Sequence, residues 1–414
     1  FFFFFKQKTA YEVADGDWSS DVCSSDLESF VAGFTVDTGD GQGPRDVYGP
    51  FQVDDGRQTI MRSATGYRPA EGDHIQGSGL CASCHTLYTH TRGAGGEVIG
   101  KLPEQMPYLE WRHSRYADTK SCQDCHLPEV EGKTQAAAVL GEARADVSRH
   151  VFRGGNFLMP RILDRYRDEL GVTATSRDLQ TASRRTVEHL QSASARIALP
   201  QAEATGETLR AVVAVENLAG HKLPTAYPSR RAWIHLMVKD RSGATVFESG
   251  AFRPDGAIAG NDNDADPRRY EPHHRRISSP ADVQIYEAIM AGPEGMVTTG
   301  LLTGIRYVKD NRVLPHGFDK ATAGEDIAVQ GEAYPDEDFT GGHDRVVYEI
   351  PLEGAAGPYQ VRAELWYQPI AYRWAHNLAP FDAPETKRFV RYYREMAGGS
   401  AVVLAQASAT VGAP

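Results

Sequence analysis

Cys81-Ala82-Ser83-Cys84-His85 and Cys122-Gln123-Asp124-Cys125-His126 decide how the rest of the chain is read. Each is a C-x-x-C-H pentapeptide, the form in which a polypeptide attaches a c-type haem. The order of residues carries the chemistry. Two thiols two residues apart reach the two vinyl groups of one porphyrin, and the next residue brings an imidazole under the iron as proximal ligand. Structural zinc is the rival, because it also uses C-x-x-C pairs. Zinc does not require a His directly after each second Cys, and both pairs have one. The 37 residues between Cys84 and Cys122 also exceed the spacing of a zinc ribbon. Cys81, Cys84, His85, Cys122, Cys125 and His126 are therefore expected to hold two haem c groups, with His85 and His126 on the irons.

Upstream, residues 1–27 read FFFFFKQKTAYEVADGDWSSDVCSSDL. The segment 17–27 back-translates to a short-read library adapter, Lys6 to Glu12 to the flow-cell primer that precedes it, and the Phe run to a homopolymer tract. These residues are expected to be non-native and are set aside as a fusion scar would be. A Phe-rich signal peptide fits less well, since only five apolar residues run together and no positive segment precedes them. Without Cys23, every remaining cysteine lies in the two motifs. The true N-terminus, and any signal peptide on it, is expected to be missing.

The chain has 414 residues, 41% of them hydrophobic, enough for a sizeable core. No run of 18 apolar residues occurs, so no membrane span is expected. A net charge of −11 argues against nucleic acid and suits a partner with a basic docking face. Haem c is fitted outside the cytoplasm, which points to a periplasmic or extracellular protein.

The predicted fold class is α+β, in three parts after the adapter-derived segment. Residues 28–155 form the haem module, irregular over the Gly- and Asp-rich 28–72, with a short helix on each motif and a Pro-bounded loop around Lys101 to Tyr108. Residues 156–200 form a helical hairpin that buttresses this module. Leu158, Ile162, Leu163, Tyr166 and Leu170 recur at helical spacing, Gly171 stops the first helix, and Thr175 or Ser176 caps the second. Residues 201–414 change to period-two patterning at 209–215, 232–238, 245–248, 283–286, 346–350 and 359–367, with a turn at Asp240-Arg241-Ser242-Gly243. This predicts a mostly antiparallel β-sandwich with a short C-terminal helix at 385–397 and a last strand from Ala401 to Leu404.

Each iron also needs a sixth ligand, His or Met in an electron carrier. His150 stands in Ser148-Arg149-His150-Val151-Phe152-Arg153-Gly154-Gly155-Asn156, where glycines let backbone approach a flat ligand. His221 stands in Asn217-Leu218-Ala219-Gly220-His221-Lys222-Leu223-Pro224-Thr225, with Gly220 and Pro224 holding the imidazole outward. His113, on a helix between the motifs, and His74, before the first motif, complete the candidate metal ligands. Four donors for two irons leave a surplus, which fits irons attached upstream. His273 and His274 read as a solvated turn. Separately, Gly260-Asn261-Asp262-Asn263-Asp264-Ala265-Asp266-Pro267 carries five oxygen-bearing side chains, and Asn261 to Asp266 is a candidate calcium loop that departs from the EF-hand pattern.

Leu80-Cys81-Ala82-Ser83-Cys84-His85-Thr86-Leu87, the His150-Gly-Gly-Asn segment, Gly220-His221-Lys222-Leu223-Pro224-Thr225 and Tyr307-Val308-Lys309-Asp310-Asn311-Arg312-Val313-Leu314-Pro315 together resemble bacterial multihaem c-type cytochromes with a C-terminal β-sandwich. The resemblance covers most of residues 45–410. It implies further haem sites upstream, distal ligation by His residues of the His150 and His221 kinds, and electron transfer with no particular substrate. The expected function is electron transfer through at least two bis-His haems. The expected partner is a redox protein, another cytochrome or a membrane quinol-oxidising complex. The alternative is a multihaem oxidoreductase whose five-coordinate haem acts on a small nitrogen or sulfur compound. No catalytic acid or base is evident.

Overall fold

A computed structural model describes residues 29–33, 43–137 and 140–412. The adapter-like reading of residues 1–27 lies outside these, as do residues 28 and 34–42 of the Gly- and Asp-rich stretch. Helices and several sheets coexist, as an α+β chain requires.

The C-terminal half is built on two sheets. One runs in the order Thr245–Ser249, Arg231–Lys239, Tyr359–Gln368, Val402–Val411, with Ile285–Tyr286 also paired to Arg231–Lys239. The other runs Arg276–Ile277, His343–Pro351, Thr208–Asn217, Ala195–Thr205. Strand alternation sends Val213 and Val215 of one sheet, and Ile234, Leu236 and Val238 of the other, into one apolar cluster. Phe247 and Tyr348 meet edge to face across it at 6.3 Å. The turn at Asp240 forms as expected. Its carboxylate accepts from Ser242 N and Ala244 N, and Gly243 supplies φ +84°.

The helical hairpin is present as Leu158–Arg165, Arg167–Leu170 and Ser176–Ala193. Gly171 closes its first arm at φ +61°, and the Thr175 hydroxyl caps the second by accepting from Asp178 N. The hairpin docks on the sheets. Leu158, Ile162 and Leu190 join the main cluster, and Gln191 Nε2 donates to the Val403 carbonyl at 2.9 Å.

The N-terminal part is more regular than its composition suggests. Arg45–Gly49 and Tyr67–Glu71 pair in parallel with the helix Asp55–Thr65 between them, where irregular chain was expected. That helix buries no residue, so it leaves no apolar stripe to read. The region around Lys101 to Tyr108 is not simply a loop. Leu87–Arg92 and Val98–Gln105 form an antiparallel hairpin. Thr91 anchors it to the chain beyond by donating to the Gly304 carbonyl, and Thr89 donates across the hairpin to Glu104.

His273 is buried rather than solvated. Its Nδ1 accepts from the Gln284 amide at 2.8 Å, which puts the proton on Nε2, facing Asp336 Oδ2 at 3.0 Å. Asp344 completes this buried triad and accepts from Tyr286 OH at 2.6 Å. Every donor of the set already has a protein partner.

Candidate haem-binding site

The first motif lies on Ser78–Ala82 and the turn that follows, with His85 N bonded to Cys81 O at 2.8 Å. The second is itself a helical turn, Cys122–His126, closed by a capping box between Ser121 and Asp124. The two are tied directly together. Cys122 N donates to Ser78 Oγ at 3.0 Å, and the Gln123 amide donates to the carbonyls of Ile75 and Gly77. The thiols of Cys81 and Cys122 share a hydrogen bond. That bond is the main reason the Cys122 thiol falls to about 7, against burial and with help from Ser78. A thiolate is the reactive form of cysteine. Burial pushes the Cys125 thiol up instead. All four motif cysteines are free.

Segment 126–153 fixes the second imidazole. His126 Nδ1 donates to the Arg153 carbonyl, while Arg153 N donates to the His126 carbonyl. With Nδ1 occupied, Nε2 is the nitrogen left to face a metal. The glycine-rich stretch after His150 thus serves the site through a backbone oxygen. His150 itself is exposed, edge to face with Phe152 at 4.8 Å.

His221 is brought to the site from the sheet domain. Its ring lies 6.2 Å from that of His126, with the planes at 23°. Its Nδ1 bonds to the Lys222 carbonyl at 3.1 Å, which again leaves Nε2 free. Metal–imidazole bonds of about 2 Å place two imidazoles that face each other across one metal roughly 6 Å apart, centre to centre. The His126–His221 spacing meets that condition. His189, which the sequence reading passed over, also lies 6.2 Å from His126, at 60°. Its only signal in the sequence was helical position, one residue before the buried Leu190.

Burial, and then the charge of His126, push His85, His189 and His221 below the ordinary histidine range, His221 to about 4. The shift favours the neutral imidazole, the form a metal ligand needs. Yet His85 is exposed and the other two are half-buried.

A buried ionic clamp holds the His221 loop. Glu110, on the helix Pro107–Arg112, accepts from Lys222 N at 3.1 Å and from Thr225 Oγ1. Lys222 Nζ pairs with Asp310 at 2.7 Å, and Arg312 holds Asp310 through two hydrogen bonds. Arg312 Nη1 also lies 3.0 Å from Glu110, a contact of charges rather than an aligned hydrogen bond. Two cations and two anions balance in a dry setting. Burial drives the Asp310 carboxyl up, but Arg312 and Lys222 together drive it further down, well below the carboxylate range. Trp111 and Tyr116 brace the same loop. A Cβ on Gly220 would sit 3.2 Å from Trp111 Cδ1, and Tyr116 OH donates to the Leu218 carbonyl at 3.2 Å.

The structure therefore brings together Cys81, Cys84, His85, Cys122, Cys125, His126 and His221. It does not bring in His113, whose Nε2 bonds to the Asp319 carbonyl at 2.9 Å, or His74, whose ring packs on Tyr48 at 5.1 Å. In the acidic loop Asn261 to Asp266, nothing supports calcium, and the carboxylates have protein partners. Asp264 grips Arg231 at 2.8 and 3.0 Å, Asp262 pairs with Arg269, Asp266 with Arg268, and Asn261 caps Asp262–Ala265. Each of its three carboxylates is paired with a guanidinium group. The four thiols and the tautomer-fixed imidazoles form a donor set that fits c-type haem.

No family model matches the chain, and no curated protein matches it. Among solved structures, it is similar to a penta-heme cytochrome c552 from Thermochromatium tepidum, at 15% identity and a TM-score of 0.46. The match covers 88% of this chain and 68% of that one. Among the described residues, no helix is long and apolar enough to cross a membrane.

Proposed function

We propose that this chain is an exported c-type electron-transfer protein that holds two haem c groups, one on each C-x-x-C-H motif. Cys81 and Cys84 attach the first and Cys122 and Cys125 the second, with His85 and His126 as proximal ligands. His221 is the distal ligand opposite His126. The observation that carries the reading is this juxtaposition: two attachment motifs whose leading thiols touch, with an imidazole from a separate domain set across from His126 at trans-ligand spacing.

When bound, the haem irons carry single electrons by cycling between ferric and ferrous states. The chain does the rest. The bond from His126 Nδ1 to the Arg153 carbonyl holds the ring in one tautomer and raises its basicity as a ligand. The clamp of Glu110, Lys222, Asp310 and Arg312 keeps His221 in place without adding net charge beside the site. The touching thiols place the two attachment points side by side, which favours electron exchange inside the chain. We read the two C-terminal sheets as a β-sandwich that closes one side of the haem module and offers the partner a face. The partner is a redox protein, either another cytochrome or a membrane quinol-oxidising complex. Haem attachment outside the cytoplasm makes the periplasm or the cell exterior the place of action.

Pyridine haemochrome analysis and intact mass, on protein made in a host that attaches haem c, test this. Two covalent haems per chain and a low-spin spectrum at the His126 site are expected. No covalent haem after Cys122→Ser and Cys125→Ser at that motif alone, with the first haem retained, is the matching control. A chain that carries no haem on either motif would overturn the reading. A high-spin iron that binds cyanide or nitrite would turn it toward a catalytic haem.

A further inference from the structure

The two motifs meet through their leading cysteines, and that contact has chemistry of its own. Three hydrogen bonds seat one motif on the other: Cys122 N donates to Ser78 Oγ, and the Gln123 amide to the carbonyls of Ile75 and Gly77. The Ser121–Asp124 capping box fixes the turn that carries Cys122, and Cys81 lies on the helix Ser78–Ala82. The sulfurs of Cys81 and Cys122 are thereby held in hydrogen-bond contact, and both residues are half-buried. Cys84 and Cys125 are exposed instead. The contact pairs one thiol from each motif, and all four thiols are unbridged. It also holds the Cys122 thiol at about 7, where a thiol attacks disulfides best at neutral pH.

We propose that in the haem-free chain Cys81 and Cys122 form a disulfide that links the two motifs, by exchange with a small-molecule disulfide such as oxidised glutathione. The Cys122 thiolate attacks one sulfur of the small disulfide and expels the other half as a thiolate. The Cys81 thiol then gives up its proton and attacks the Cys122 sulfur of the mixed disulfide, expelling the second half. Two protein thiols lose two electrons, one small disulfide is reduced to two thiols, and the two protons end on those thiols. Thioether formation needs a free thiol at each vinyl group. One bridge therefore withholds a cysteine from both motifs at once, and its reduction returns both together. The bridge itself is independent of the haem reading, while this consequence for attachment rests on it.

The test uses the full chain made without haem, with Cys23→Ser so that only the motif cysteines remain. The reduced protein is equilibrated with a glutathione redox buffer at pH 7, free thiols are alkylated, and disulfides are mapped by peptide mass. A Cys81–Cys122 crosslink with Cys84 and Cys125 alkylated is the expected product. Bridges within the motifs, Cys81 to Cys84 or Cys122 to Cys125, overturn the proposal, as does a chain that leaves Cys81 and Cys122 reduced. A second form with Cys84→Ser and Cys125→Ser isolates the pair. Its effective concentration for bridging, read from the glutathione ratio at half-oxidation, should be roughly tenfold or more above that of the same chain in strong urea. Equal values in the two solvents also overturn the proposal, because the fold then contributes nothing to the pairing. Failure of the haem reading shows separately, as a chain that bridges in this assay yet gains no covalent haem in a host that attaches haem c.

Discussion

The region around the two motifs and the two-sheet region are held together by different means. In the sheets, Val213, Ile234, Leu236, Val346 and Leu365 interlock in one continuous apolar core, and no outside group is needed to complete it. Around the motifs, the separate apolar cluster is Phe30, Ala82 and Tyr108, with Tyr88, Leu109 and Trp111 against it. The helices there are one to two turns long, too short to stand alone in water. That segment has little apolar core of its own and leaves Cys84, His85 and Cys125 exposed. The lesson is that the sheet region completes its own core, while the region around the motifs, on the proposed reading, would draw stability from haem and from the clamp.

Removing the ligand tests this most severely. With serine at all four motif cysteines, amide exchange across residues 43–155 should rise by roughly 100-fold or more, while the strands Arg231–Lys239 and Tyr359–Gln368 stay protected. Equal protection of both regions would erase the contrast. Next in size is the clamp that joins them. Glu110→Ala removes one of the two carboxylates that balance Lys222 and Arg312 and leaves the Lys222 amide unpaired in a dry pocket, and should cost about 3–5 kcal/mol in chemical denaturation. Ile234→Ala, fully inside the sheet core, should cost about 2–4 kcal/mol and leave the haem spectrum untouched.

Acid probes the same junction more gently. The Asp310 carboxyl has its folded pKa depressed, so its contribution is complete above the unfolded value near pH 4 and is lost only as pH falls through the lower folded value. The stability difference between the parent and Asp310→Asn should therefore be flat from pH 8 to about 5 and shrink in stronger acid. The smallest effect reverses the pattern of Ile234→Ala. Gly220→Ala should cost about 1 kcal/mol, since Trp111 must yield by a few tenths of an ångström, yet it should shift the low-spin resonance by moving the His221 loop.

The same division governs what the sequence shows. Covalent attachment demands a fixed order of residues, so Cys81 to His85 and Cys122 to His126 announce themselves. Strands with one face in a core alternate, and a hairpin with Gly171 and Thr175 at its corner punctuates itself. Asp55–Thr65 was missed because a helix that buries nothing has no periodic stripe. The pairing of the carboxylates in Asn261 to Asp266 with Arg231, Arg268 and Arg269 was illegible because one-dimensional spacing cannot show those partners arriving. His189 was overlooked for a related reason. Its neighbours in sequence mark it only as one flank of an amphipathic helix, and its meaning comes from His126, which the fold alone brings near.

The clamp has a consequence for the order of biosynthesis. A chain emerging N-terminus first presents Cys122 to His126 well before Lys222 exists, and Lys222 well before Asp310 and Arg312. Glu110 therefore waits, partnerless, until much of the C-terminal half has been made. During that interval the second motif, with His126, is complete while the loop bearing His221 has nothing to lock it. Wherever the chain folds in that order, the second motif stays accessible until Asp310 and Arg312 arrive to lock the loop that bears His221.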